Sequence, residues 1–79
     1  MKYHPPVKRS VEVAGHKTSI TLEPVFWNML RDAARARGVP INAIVAQVDL
    51  ERLDADEPTG LASAIRQYLV AQLKGGDAN

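Results

Sequence analysis

The 79-residue sequence has no cysteine, so neither a disulfide nor a thiolate-bound metal can hold its fold together. It has only two histidines, His4 and His16, and they show no recognised metal-ligand spacing. We read both as solvated residues at strand ends. Long apolar runs are missing as well. The stretch MKYHPPVKRSVEVAGHKTSI offers neither a signal-peptide core nor a membrane span, and a cytoplasmic location is expected. There is no internal repeat and no low-complexity segment. Catalytic signatures are also lacking: no nucleophile elbow accompanies Ser10, Ser19 or Ser63 with His16, and no glycine-rich phosphate loop, zinc motif or close acid pair suggests any other enzyme. The expectation is a non-enzyme with no catalytic residue, no cofactor and no metal.

What is present is a hydrophobic fraction of 46%, enough for one core in a chain too short for two domains. A domain of this size buries only about 60% of the surface its unfolded chain exposes. With staples of sulfur or metal excluded, self-association is the expected source of further buried area. The formal charge of +1 is unevenly distributed. Residues 1–22 hold Lys2, Lys8, Arg9 and Lys17 against Glu12, a net +3, and the remainder is net −2. Positive potential therefore belongs to the N-terminal segment.

Pro5 and Pro6 mark an extended arm over residues 1–8. Alternation of polar and apolar residues in R-S-V-E-V (Arg9 to Val13) and K-T-S-I-T-L (Lys17 to Leu22) predicts two short strands, with Ala14-Gly15-His16 suited to a hairpin connection. At Glu23-Pro24 the period changes to helical. Phe26, Trp27, Leu30, Ala33 and Ala34 fall on one stripe, and Gly38 supplies the stop. A second helix, about Pro40 to Leu53, carries Ile41, Ile44, Val45 and Val48 on one face, with Ala46, Leu50 and Leu53 beside it. An apolar arc so wide needs cover from two sides, here a partner subunit and the last helix. Asn42 is a candidate to satisfy free N–H groups at the start of that helix. After the acidic loop DADEPTG, with Thr59 as N-cap, a third helix shows Leu61, Ala64, Ile65, Tyr68, Leu69 and Leu73 at helical spacing. The expected organisation is an arm at 1–8, a domain at 9–74 and a flexible tail at 75–79.

The order strand, helix, short turn, helix, together with H-K-T-S-I-T-L-E-P-V-F-W and R-G-V-P-I-N-A-I-V, resembles the ribbon-helix-helix family. More narrowly it is similar to short bacterial members with an added N-terminal strand and C-terminal helix. G-H-K-T-S, L-E-P-x-F-W and G-x-x-x-N carry the likeness in combination. The resemblance implies a mostly α fold with a short β-ribbon, built as an intertwined homodimer. In it, two chains pair one strand each, and the ribbon enters the major groove of double-stranded DNA. The function implied is that of a transcriptional repressor.

The resemblance also assigns roles. With Thr18, Ile20 and Leu22 turned inward, Lys17, Ser19 and Thr21 face the bases, because a one-residue slip would expose the apolar pair. Phosphate contacts are expected from Lys8 and Arg9, and from the backbone at the start of helix 2 around Ile41 and Asn42. The dimer core is expected from Ile20, Leu22, Phe26, Trp27, Leu30, Ile44, Val45 and Val48. Two positions depart from the family's pattern. Ser19 and Thr21 are short where arginine, glutamine or asparagine is commoner, and Pro40 replaces a serine or threonine. The competing expectation is a protein-interaction module, similar to antitoxins of related fold, that holds a protein partner through helix 3 and the acidic loop.

Overall fold

A computed structural model describes residues 2–75 of the chain. The expected tail thus lies outside the described residues except for Gly75. Strands β1 (Val7–Val13) and β2 (His16–Leu22) form an antiparallel hairpin, followed by helices α1 (Pro24–Arg37), α2 (Ile41–Leu53) and α3 (Leu61–Leu73).

The hairpin turns on two residues, not three. Ala14 and Gly15 both have positive φ, 51° and 84°, which places His16 at the head of β2. Two left-handed residues give a turn whose twist matches that of the flanking strands. Glycine enters this region without penalty, whereas alanine pays about 1–2 kcal/mol for it. Replacing Ala14 by asparagine, which tolerates the conformation, is expected to stabilise the chain by about 1 kcal/mol. That gain would raise the melting midpoint by about 4–8 °C, and an unchanged or lower midpoint in a calorimetric scan would refute it.

β1 begins at Val7, two residues before the alternation from Arg9, so Lys8 lies in a strand and not in an arm. The cause is local. The indole Nε1 of Trp27 donates to the Val7 carbonyl at 2.9 Å, fastening the strand's first residue to α1.

α1 starts with Pro24 at its first helical position, where a missing N–H costs nothing. It ends on Gly38 at φ 68°, where Val39 N–H closes back on the Ala34 carbonyl at 3.0 Å. Pro40 is the N-cap of α2 (ψ 159°), one place earlier than the first-turn position expected for it. α3 takes Gly60 as N-cap and not Thr59. The Thr59 carbonyl instead accepts a hydrogen bond from Arg52 at 3.0 Å.

The core gathers Val13, Ile20 and Leu22 from the hairpin, Trp27, Leu30 and Ala34 from α1, Ile44, Val45 and Val48 from α2, and Ile65 and Leu69 from α3. Every element except the loops contributes. Three expected apolar positions fall outside it: Leu50 is 72% exposed, Leu53 54% and Leu73 74%.

Candidate nucleic-acid interface

The hairpin register aligns Lys8 with Thr21, Ser10 with Ser19, and Glu12 with Lys17. Residues directly opposite each other in a strand pair share a face. All six of these are exposed, whereas Ile20 and Leu22 are buried and Thr18 is half-buried. The inward and outward parity expected of β2 is the one observed. Its outer face is a short polar ridge of two lysines, one glutamate, two serines and a threonine.

Lys8 and Arg9, expected to serve together, part company. Lys8 stands on the ridge, opposite Thr21. Arg9 is aligned with Ile20 on the other face, and its guanidinium lies 5.6 Å from the centroid of the Trp27 ring. A cation held there is favoured by the ring's negative face. Trp27 itself is buried, as its place on the α1 stripe predicts.

Arg9 joins a different group. A cleft of about 360 Å³ between β1 and the start of α2 is lined by Arg9, Ser10, Glu12, Trp27, Arg31, Ile41 and Asn42. The first turn of α2 contains no acidic residue, and no side chain caps it. Asn42 therefore does not perform the capping expected of it, and the free N–H groups of this turn open beside two guanidinium groups. Among the described residues the ion pairs are Arg35 with Asp32, Arg52 with Asp49 and Arg66 with Glu23, so Arg9 and Arg31 are in none of them, and their two guanidinium groups outnumber the one carboxylate of the cleft, Glu12. A helix N-terminus beside two arginines is chemically suited to an anionic oxygen. Arg31 did not emerge from the sequence reading. Its signal was there, since residue 31 stands one helical turn beyond Trp27 on the same side of α1.

On the other side of the hairpin Arg66 of α3 reaches three groups. Its Nε donates to the Glu23 carboxylate at 3.1 Å, one terminal nitrogen donates to the Thr21 carbonyl at 3.4 Å, and its guanidinium sits 5.8 Å from the Phe26 ring centroid. The Glu23 carboxyl is held below the usual carboxylate range, first by a hydrogen bond from its own backbone N–H and then by Arg66. Glu23 thus stays ionised and keeps α3 fastened to the end of β2.

The residues expected to form a core between subunits are placed within the single chain. Ile20, Leu22, Trp27, Leu30, Ile44, Val45 and Val48 are buried there, and Phe26 is half-buried under Arg66. α3 supplies the cover that makes this possible. What remains outside on the helices is Val25, Leu50, Leu53, Val70 and Leu73.

No helix among the described residues is long and apolar enough to cross a membrane. A family model described as a ribbon-helix-helix domain matches residues 6–73, a span that includes the hairpin and all three helices. No curated protein and no solved structure matches the chain.

Proposed function

Since this chain belongs to the ribbon-helix-helix domain family, whose members are in general dimeric DNA-binding regulators or antitoxins, we propose that it is a dimeric DNA-binding protein that acts as a transcriptional repressor. It binds by presenting its β-ribbon to the major groove of double-stranded DNA. The observation that carries this reading is the exposed polar face of β2, where Lys17, Ser19 and Thr21 stand in a row over a buried Ile20 and Leu22.

A two-stranded ribbon fits the major groove, whose width is about 12 Å. In it Lys17 donates to guanine O6 and N7, while Ser19 and Thr21 exchange hydrogen bonds with base edges and the threonine methyl packs on thymine. Lys8 at the end of the ridge, and the cleft formed by Arg9, Arg31 and the first turn of α2, take phosphates and set the register on the duplex. Two clefts in a dimer would repeat this grip on neighbouring half-sites.

Lys17→Ala is expected to weaken specific binding by about 5-fold to 150-fold without altering the fold, as judged by electrophoretic mobility shift and circular dichroism. The whole reading fails if the purified chain shows no salt-dependent binding to any duplex in a genomic selection.

A protein partner is the competing reading, and the exposed Leu53 next to the acidic loop, with Val70 and Leu73 exposed on α3, favours it. Ile65 and Leu69 of α3 are already committed to the core, so deleting α3 would unfold the chain and could not separate the two readings.

A further inference from the structure

We infer that Arg66 is a positioning residue for the reading of bases: from α3 it sets the end of β2, and with it the height at which Thr21 meets its base, without itself touching DNA. This rests on the DNA-binding reading above and goes beyond it in making selectivity at one base position depend on a residue of α3.

Hairpin geometry supplies the first argument. A two-residue turn with both residues left-handed closes on Val13 and His16, which makes them a hydrogen-bonded pair. Alternation along the ladder then makes Arg9 with Ile20 and Val7 with Leu22 hydrogen-bonded pairs, and Lys8 with Thr21 a non-hydrogen-bonded one. Thr21 therefore turns its N–H and carbonyl away from β1, toward the free edge of β2. The ladder gives its backbone nothing. Thr21 is also the last residue but one of the strand, where local opening is easiest. What its carbonyl does receive is a hydrogen bond from Arg66, at 3.4 Å. Lys17 and Ser19 turn the same groups to the same edge, where no loop or helix backbone bonds to them among the described residues. That part of the edge stays open to a strand from a second copy.

The hold on Arg66 supplies the second argument. Its Nε is committed to the Glu23 carboxylate at 3.1 Å, its guanidinium stands 5.8 Å from the Phe26 ring centroid, and the residue before it, Ile65, is fully buried. The clamp thus grips the strand from a base fixed in α1 and α3. Glu23 is free to take part, since its side chain makes no capping bond to α1. A planar guanidinium holds two acceptors in set directions, which an ammonium on a flexible stem does not.

Reach supplies the third. The Thr21 hydroxyl sits on Cβ, so no change of rotamer can make up for a displaced backbone as it could in a long side chain. A hydrogen bond spans about 2.5–3.2 Å between heavy atoms, and a strand end displaced by about 1 Å loses it. A short reading residue needs a fixed strand.

The test uses the full chain and selection from a random duplex pool, first with the wild type and then with Thr21→Ala, which identifies the position that Thr21 reads. Arg66→Ala, Arg66→Lys and Glu23→Ala follow, each with circular dichroism melting as a control for the fold. All three are expected to lose preference at the Thr21 position, discrimination there falling by about 2-fold to 10-fold, while the position altered by Lys17→Ala keeps its preference. Arg66→Lys retains the charge and the packing stem, so it supplies the readout even if Arg66→Ala melts early. In the Thr21→Ala background, Arg66→Ala should add nothing at that position. Binding to unrelated duplex, and its dependence on salt, should hold. Uniform weakening across all sequences with a shallower salt dependence would make Arg66 a phosphate contact and overturn the inference. So would Arg66 variants that leave the selected site intact, or a Thr21→Ala that alters no position, and the DNA-binding reading survives each of these results. If the wild type selects no sequence, both fall together.

Discussion

The double substitution Ile65→Ala with Leu69→Ala is expected to leave the chain without a cooperative melting transition at any temperature above freezing. Both side chains are fully enclosed, one turn apart on the same side of α3, and they close the core against the hairpin, α1 and α2. Each truncation should cost about 2–5 kcal/mol through lost burial and the cavity left behind. Their neighbours are shared, so the two costs will not add strictly. Even the lower part of the combined range approaches the total stability of a chain this short, about 4–12 kcal/mol at roughly 0.05–0.15 kcal/mol per residue. Circular dichroism at two protein concentrations is the measurement. A cooperative transition that persists and shifts with concentration would mean that a partner subunit, and not α3, covers this side of the core.

Trp27 is the site of the second large effect. Its ring is buried, its Nε1 holds the Val7 carbonyl, and Arg9 lies on its face. Trp27→Ala should destabilise the chain by about 3–5 kcal/mol, the range for deleting a buried aromatic. Trp27→Phe separates two contributions. It keeps most of the apolar volume but leaves the Val7 carbonyl without its donor, a loss of about 0.5–1.5 kcal/mol in hydrogen bonding. Hydrogen exchange read residue by residue should show the difference as faster exchange at the start of β1, with the helices little changed. Equal loosening of strand and helices in Trp27→Phe would mean that the indole N–H does not anchor β1.

The parity of β2 was legible because period-two alternation is written directly in K-T-S-I-T-L, and one slip would have exposed Ile20 and Leu22. The helices were legible for a similar reason, with Gly38 and Pro24 marking ends that obey local backbone rules. What covers the broad apolar side of α2 was not. A pattern of hydrophobic residues shows how much surface must be hidden, but not whether a distant helix or another molecule hides it. The sequence reading expected a partner subunit on one side and the last helix on the other, and α3 provides the cover seen in the structure. Exposed Leu50 and Leu53 mark the part of the arc that α3 does not reach.

The split between Lys8 and Arg9 was hidden for another reason. Neighbours in a strand point to opposite faces, but the start of β1 is fixed by a hydrogen bond from a tryptophan 20 residues away. No local pattern contains that bond. The helical spacing puts Arg31 on the same side of α1 as Trp27, but only the packing of Arg9 on the Trp27 ring shows what that side faces.

The grip of Arg66 also bears on how the chain is made. It ties residues 43 and 45 positions apart, so the end of β2 is fastened by a side chain that is synthesised much later than the strand. A nascent chain that has released the hairpin and the first two helices still lacks Ile65, Arg66 and Leu69, the groups that complete the core and clamp the strand. Its polar ridge is translated among the first residues but becomes a fixed surface among the last. On the ribosome, the unfinished chain therefore offers exposed strand edges and open apolar surface, and the arrival of α3 is the step that closes the core and fixes the end of β2.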